Sequence, residues 1–221
     1  PREFKMSVFT ADFSTIRRAF GNRNFAIYTS GSTVALVGLW VQRLGVGWLT
    51  WELTRSGFWL GAVAFADLFP AVVVGPFAGV LADRLDRLRL GLTCQALSLA
   101  QTLALFLLTA TGTIGLVSLL ALTLFLGTVR AVYQPVRLSL VPALVRPEDV
   151  PAAVAISSVI FNLARFVGPA VAGVIITRAG VAPTFAFYAV TVTALLFAFA
   201  HLDIERRPVA AKSGAGLLAQ V

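Results

Sequence analysis

Four charged residues lie deep inside long apolar stretches of the chain: Arg43, Asp67, Arg130 and Arg165. A charge in such a stretch is costly, and it marks a substrate path, a proton relay or a structural ion pair. If the first hairpin is centred on Arg55, then Arg43 lies 12 residues before the turn and Asp67 lies 12 residues after it. At 1.5 Å per residue both lie about 18 Å from the turn. The spacing therefore predicts that an Arg43–Asp67 pair is able to form.

The elements that must position these charges are membrane helices. The chain has 221 residues, of which 58% are hydrophobic and 13% charged, and its mean hydropathy is +0.86. A soluble domain averages roughly 45–50% apolar and about 25% charged residues. Because lipid offers no hydrogen-bond partners to the backbone and a crossing needs about 20 apolar residues, we predict an all-α polytopic membrane protein. The six predicted helices are Phe25–Trp51, Phe58–Ala82, Leu90–Ala110, Gly115–Val136, Ala152–Thr177 and Pro183–Leu202.

The segments between and around the predicted helices are mostly short. The longest link is expected over Arg137–Val150, which contains Pro142 and Pro147. Residues Pro1–Lys5 precede a methionine and are interpreted as a cloning remnant. The remaining divisions are expected to be an N-terminal arm (6–24), a transmembrane domain (25–204) and a polar, Ala/Gly-rich linker (205–221).

The basic residues are distributed unevenly along the chain. A net charge of +8 and a pI near 11.0 would ordinarily suggest nucleic acid as a partner. However, six alternating helices place thirteen Lys and Arg residues on the side of both termini and only Arg55 and Arg178 on the other side. The positive-inside rule then predicts cytoplasmic termini in a bacterial inner membrane. We expect these charges to meet anionic lipid of the bilayer and not nucleic acid.

Residues typical of catalysis or metal binding are sparse. The chain has one cysteine, Cys94, and one histidine, His201, and it contains no nucleophile elbow, phosphate loop or zinc motif. An intramembrane protease or transferase would need a serine–base or aspartate pair at membrane depth. Asp67 is alone there, and His201 lies at a helix end, so we expect neither an enzyme nor a cofactor or metal.

A dense motif, Gly79-Val-Leu-Ala-Asp-Arg-Leu-Asp-Arg-Leu-Arg89, joins the second and third predicted helices. Its alternating acids and bases are expected to form ion pairs, and its glycine allows close helix approach. The motif resembles the signature of the major facilitator superfamily, in the form carried by the enterobactin exporter and drug and macrolide efflux branch. The resemblance implies that it latches two six-helix halves together and is released during transport. The residues concerned are Gly79, Asp83, Arg84, Asp86 and Arg87.

The fifth predicted helix carries Gly168-Pro169, followed by Gly173, which resembles the Gly-Pro motif of exporters in the same superfamily. The second helix carries Gly75-Pro76 at a similar place. The recurrence of Gly-Pro in the second and fifth helices predicts two inverted three-helix repeats, although glycine and proline are common in membrane helices generally. The superfamily also carries an arginine motif on its fourth helix, which Arg130 matches only in part. The glycine that the motif has shortly after the arginine is absent here.

Two polar stripes add candidates for a substrate or proton path. On the first helix Gln42 shares a face with small residues, and this face either packs on another helix or lines a cavity. The resemblance favours the cavity, because helices 1 and 4 line it in the family. On the fifth helix Asn162 and Arg165 must face protein or water. The small residues that share the face of Gln42 are Gly31, Ala35, Gly38 and Gly45.

Asp67 leaves two interpretations open: a protonatable carboxylate that couples protons to transport, or a static ion pair with Arg43. We expect a structural role for Arg130, and both roles stay open for Arg165. One acid against three arginines leaves two positive charges, which an anionic substrate group or acids of another segment would balance.

The resemblance covers the first half of a twelve-helix family member. It implies the N-terminal half of a secondary transporter, a proton-coupled exporter of drugs or siderophore-like small molecules that works by alternating access. Its expected partners are the bilayer, the small-molecule substrate, and either a C-terminal six-helix half or a second copy in a homodimer. The alternatives are a non-transporting membrane scaffold and a native half-transporter that acts only as a homodimer.

Overall fold

The computed structural model describes residues 21–202, except for the side chains of residues 80–84. The predicted N-terminal arm up to residue 20, the linker 205–221 and the side chains of Asp83 and Arg84 lie outside this description. The described part holds six helices that are long and apolar enough to cross a membrane, and it holds no strand. The all-α polytopic prediction is therefore confirmed. The helices are α1 (Arg23–Thr54), α2 (Gly57–Arg84), α3 (Arg87–Ala110), α4 (Leu116–Ala143), α5 (Val150–Ala179) and α6 (Ala182–Ala200).

Local capping fixes where several helices begin and end. The Asn22 side chain accepts a hydrogen bond from the backbone N–H of Asn24 at 3.0 Å, which caps α1. Asp86 caps α3 in the same way, accepting from Leu88 N at 2.9 Å and Arg89 N at 3.0 Å. At the other end of α1, Arg55 adopts a left-handed conformation with φ of 49°. The chain thus reverses at the predicted first hairpin.

The predicted end of the fourth helix at Val136 is wrong. Helix α4 continues to Ala143 through Pro135 and Pro142. Membrane helices tolerate proline because neighbouring helices and local adjustments compensate for the missing hydrogen bond. Beyond Pro135, Val136 and other buried side chains pack in a core shared with α1 and α6, which keeps this segment helical. The long link is therefore shorter than predicted, and Arg137 lies on a helix.

The small-residue face of α1 packs on α6. A Cβ added at Gly31 would stand 2.7 Å from the Cβ of Ala198, and one at Gly38 or Gly45 would overlap a threonine of α6. The glycines recur every seven residues, as do the residues opposite them, so the two helices pack closely along their length. The close-packing interpretation of this face is confirmed and the cavity interpretation is wrong. The α6 residues are Thr184, Thr191 and Ala198.

Two further close approaches relate the halves of the bundle. A Cβ at Gly127 of α4 would stand 2.6 Å from the carbonyl oxygen of Asp67 in α2, and one at Gly168 of α5 would stand 3.1 Å from that of Val37 in α1. In an inverted repeat, α1, α2 and α3 correspond to α4, α5 and α6. The contact of α2 with α4 then corresponds to the contact of α5 with α1. The packing therefore has the symmetry that inverted three-helix repeats require.

Helices α2 and α5 are the least covered. Only 11% and 22% of their apolar windows are buried, against 33–50% in the other four helices. Large apolar side chains on them are open, including Val72 at 75% and Phe166 at 79% exposure. These two helices present the surfaces available to lipid or to another protein segment.

Candidate functional site

Asp67 lies between two arginines from different helices. Arg43 Nη2 of α1 donates to Oδ2 at 2.6 Å, and Arg130 Nη1 of α4 donates to Oδ1 at 2.8 Å. The three side chains are only 16–25% exposed. Each carboxylate oxygen therefore has its own charged donor, which is the strongest kind of hydrogen bond available to it. The Arg43–Asp67 pair predicted from matched depth is formed.

The contact of Arg130 with Asp67 is what sequence reasoning missed. Two signals pointed to it. Gly127 stands one turn before Arg130 and allows α4 to approach the backbone of α2 at Asp67. Arg130 also lies at the middle of its helix, at the depth of the other charges.

The charges share one level of the bundle. Arg130 and Arg165 lie within one residue of the midpoints of α4 and α5, and Arg43 and Asp67 lie within five residues of those of α1 and α2. At 1.5 Å per residue, all four lie within about 8 Å of a helix midpoint. Helices of this length span the hydrocarbon core, so this level is near the centre of the bilayer.

Aromatic rings connect Asp67 and its two arginines to Arg165 and to a further arginine, Arg137. The Trp40 ring lies 4.8 Å from the Arg43 guanidinium carbon and 5.6 Å from that of Arg165. Trp40 also meets Phe161 edge to face at 6.1 Å, and Arg137 lies 5.6 Å from the Phe161 ring. All three ring-to-guanidinium distances are within the range of cation–π attraction. The resulting cation–aromatic row consists of Arg137, Phe161, Trp40, Arg165, Arg43, Asp67 and Arg130.

The two polar candidates on α5 are both exposed. Asn162 donates to the carbonyl of Ser158 at 2.8 Å, within its own helix. Arg165 stacks on Trp40 and forms no ion pair with a carboxylate of the described residues. Of the Gly-Pro motif, Gly168 packs on Trp40, Pro169 continues the helix, and Gly173 has no described neighbour where a Cβ would lie.

Gln42 is not part of the row. It is buried and donates to Gln101 Oε1 of α3 at 3.2 Å, while its own oxygen accepts from Thr102. Gln101 in turn donates to the carbonyl of Leu122 in α4 at 3.2 Å. The amide is thus used inside the bundle to join α1, α3 and α4.

The motif between α2 and α3 is described only in part. A Cβ at Gly79 would meet no described atom within 4 Å, so the close approach expected there is not made among these residues. Asp86 serves as the cap of α3, and Arg87 is exposed. The ion pairs expected of Asp83 and Arg84 fall outside the description, and the latching role of the motif stays a prediction.

The site offers charge and aromatic surface. Among the side chains that the structure describes, no group of three or more His, Cys, Asp or Glu residues is placed to hold a metal. Guanidinium groups, a carboxylate and rings at mid-membrane depth mark a candidate functional site.

A family profile described as transmembrane secretion effector, of the MFS_3 type, matches residues 15–214. The chain belongs to the major facilitator superfamily. It is also 29% identical over 184 residues to the staphyloferrin A transporter of Staphylococcus aureus (strain NCTC 8325 / PS 47). That match covers 82% of this chain and 46% of the relative. The chain therefore spans about half the length of this superfamily relative.

Proposed function

We propose that this chain acts as the N-terminal half of a secondary transporter that exports drugs or siderophore-like small molecules in exchange for protons, by alternating access. The observation that carries the proposal is Asp67 held between Arg43 and Arg130 at mid-membrane depth. An ionisable group at this depth is a functional candidate by default. The family description as a secretion effector and the relationship to a siderophore transporter support the direction and the substrate class.

Asp67, Arg43 and Arg130 form an ion triad, and protonation of its carboxylate offers a physical route to helix movement. Ionised Asp67 accepts hydrogen bonds from arginines on α1 and α4. Protonation would remove the charge that both guanidinium groups attract, and it would free α2 from two neighbours together. A change in helix packing near a midplane site is what alternating access requires. The static alternative is that the triad neutralises charge and holds three helices together without titrating.

Transport is tested in proteoliposomes that contain the protein with its complete natural reading frame. Efflux of a fluorescent drug and of a siderophore-like compound is followed with and without an imposed pH gradient. We expect the gradient to accelerate efflux and a protonophore to abolish the acceleration. Absence of flux for every compound would support the scaffold alternative, and flux that ignores the gradient would contradict proton coupling.

The missing half of the transport path is expected to come from a C-terminal six-helix half or from a second copy of the chain. The exposed faces of α2 and α5 support the need for such a partner. Size-exclusion chromatography with light scattering in detergent, applied to the chain alone, shows whether a second copy is the partner. A dimer supports the half-transporter that works as a homodimer, and a monomer contradicts it.

We place both termini on the cytoplasmic side of a bacterial inner membrane. The excess of basic residues on the side of the termini supports this orientation. Fusion of alkaline phosphatase, which is active only outside the cytoplasm, tests it. Activity of a fusion at Thr113, between α3 and α4, or at Arg146, between α4 and α5, distinguishes the two sides. We expect an inactive fusion at Arg146 and an active one at Thr113, because the positive-inside rule places Arg146 in the cytoplasm.

A further inference from the structure

The end of α1 at the first hairpin carries an exposed tryptophan–carboxylate pair. The indole Nε1 of Trp48 donates a hydrogen bond to Oε1 of Glu52 at 2.7 Å. The two residues lie about one turn apart on one face of the helix, and both are exposed. The indole thus holds one carboxylate oxygen in place, and the other oxygen, Oε2, has no hydrogen-bond partner among the described residues.

More aromatic rings are exposed around this pair. Trp48 and Trp51 are 46% and 40% exposed, and Phe58, just past the turn, is 75% exposed. The Phe58 ring meets the Trp59 ring edge to face at 5.4 Å. Tryptophan side chains join an apolar body to a polar N–H, so they are enriched where the membrane meets water. We call Trp48, Trp51 and Glu52 the hairpin patch.

The hairpin patch lies at the depth of lipid headgroups. Measured along α1 from its midpoint, Trp48 lies about 14 Å away and Glu52 about 20 Å away, at 1.5 Å per residue. The hydrocarbon core extends about 15 Å from the bilayer centre, and the headgroup region reaches to about 20–22 Å. The patch therefore spans the boundary between acyl chains and headgroups. Leu44, one turn below Trp48, is exposed within the hydrocarbon layer.

The charged groups at this end of α1 are not paired with each other. Arg55, three residues after Glu52, is exposed and follows the last turn of the helix in a left-handed conformation. The ion pairs of the described residues include neither Glu52 nor Arg55. An open carboxylate and an open guanidinium less than one turn apart are complementary in charge to the ammonium and phosphate of a zwitterionic headgroup.

From this arrangement we propose that the hairpin patch binds a phospholipid whose headgroup carries a primary ammonium group, as in phosphatidylethanolamine. The ammonium donates to Oε2 of Glu52 and lies against the indoles of Trp48 and Trp51, because aromatic faces attract cations. The phosphate accepts from Arg55, and one acyl chain follows Leu44 into the hydrocarbon. A trimethylammonium headgroup has no N–H to donate to Glu52, and an anionic headgroup without an amine is repelled by it.

The competing interpretation is a general aromatic belt, in which tryptophans anchor the helix at the interface without preference for a headgroup. The two interpretations differ in the role of Glu52. A belt is indifferent to its charge, whereas the proposed site loses its preference when that charge is removed. Neither depends on the transport proposal, because association with lipid requires no transported substrate.

Lipid preference is measured by tryptophan fluorescence quenching on the protein with its complete reading frame in lipid nanodiscs. The probes are phosphatidylethanolamine, phosphatidylcholine and phosphatidylglycerol with the same acyl chains and a nitroxide quencher close to the glycerol. We expect phosphatidylethanolamine to associate about two- to fivefold more strongly than the other two lipids. Glu52→Gln keeps the oxygen that accepts from Trp48 and should remove the preference. Glu148→Gln, which neutralises an exposed acid between α4 and α5, is the matched control and should keep it.

Trp48→Phe tests the same site without a change of charge. It keeps a ring and removes the N–H that orients Glu52, so we expect an intermediate preference, reported by Trp51 and Trp59. Equal association of the three lipids with the parent protein, or a preference that survives Glu52→Gln, would overturn the inference in favour of a general aromatic belt. A preference that is also lost in Glu148→Gln would overturn it, because the preference would then follow overall charge and not the hairpin patch.

Discussion

Gly127 of α4 lies directly against the main chain of Asp67 in α2. A Cβ at position 127 would stand 2.6 Å from the Asp67 carbonyl oxygen. This approach brings Arg130, less than one turn further along α4, to 2.8 Å from the Asp67 carboxylate. Because Gly127 has no side chain, α4 comes close enough to α2 for Arg130 to complete the ion triad.

Substitution of Gly127 should therefore disturb both packing and the triad. We expect Gly127→Ala to lower the free energy of unfolding by about 1–3 kcal/mol, because an added methyl group forces a backbone shift. Unfolding in sodium dodecyl sulfate, followed by circular dichroism, measures the change. Gly47→Ala is the control, since a Cβ there meets nothing within 4 Å. Equal stability of the two variants would show that α2 and α4 are not packed at Gly127.

The α1–α6 contact makes a reciprocal prediction. Gly31→Ala should destabilise the protein by about 1–3 kcal/mol, because its Cβ would lie 2.7 Å from the Cβ of Ala198. Ala198→Gly removes that obstacle, so the double variant should recover at least about half of the loss. Unfolding free energies of all four proteins complete the cycle. Additive losses would contradict the contact.

The number and type of the helices follow from sequence, because a run of about 20 apolar residues has few structural solutions in lipid. The end of α4 does not follow. Pro135 and Pro142 usually indicate a helix boundary, whereas the core around Val136 keeps the segment helical. Helix ends that depend on tertiary packing are invisible in a single sequence.

The buried hydrogen bonds of Gln42 predict a modest loss of stability when one partner is removed. Thr102 donates to Gln42 and also lies 3.3 Å from the Phe185 carbonyl. Thr102→Val keeps the shape and removes the hydroxyl, and we expect a loss of about 0.6–1.7 kcal/mol, the range of interhelical hydrogen bonds in membranes. Thr193→Val is the control, because that hydroxyl bonds only within its own helix. A control loss as large as that of Thr102→Val would contradict an interhelical role.

Breaking the triad should cost more than breaking an exposed ion pair. Arg130→Gln leaves Asp67 with one arginine, and we expect a loss of about 1–3 kcal/mol. Glu148→Gln removes a pair with Arg146 in which both side chains are more than 60% exposed, so its loss should stay below about 1 kcal/mol. Melting temperatures in detergent compare the stabilities of the two variants with that of the parent protein. A smaller effect for Arg130→Gln would mean that the triad is not formed.

Part of the candidate site was predictable and part was not. Matched depth on a single hairpin was enough to predict the Arg43–Asp67 pair, because both residues flank one short turn. Arg130 comes from a helix 63 residues further along the chain, and its contact depends on how α4 rotates against α2. The role of Trp40 as the ring between two arginines was missed for the same reason, since it joins α1 to α5.

The coupling role of Asp67 is tested most directly by Asp67→Asn in proteoliposomes with the complete protein. The variant keeps the size of the side chain and removes the charge that protonation would remove. We predict that efflux driven by a pH gradient is lost, because an amide cannot take up and release the proton, while exchange without a gradient persists. Glu148→Gln, an exposed acid between α4 and α5, should retain full gradient dependence. Gradient-driven efflux that survives in Asp67→Asn would contradict the coupling role and leave the triad as a static support.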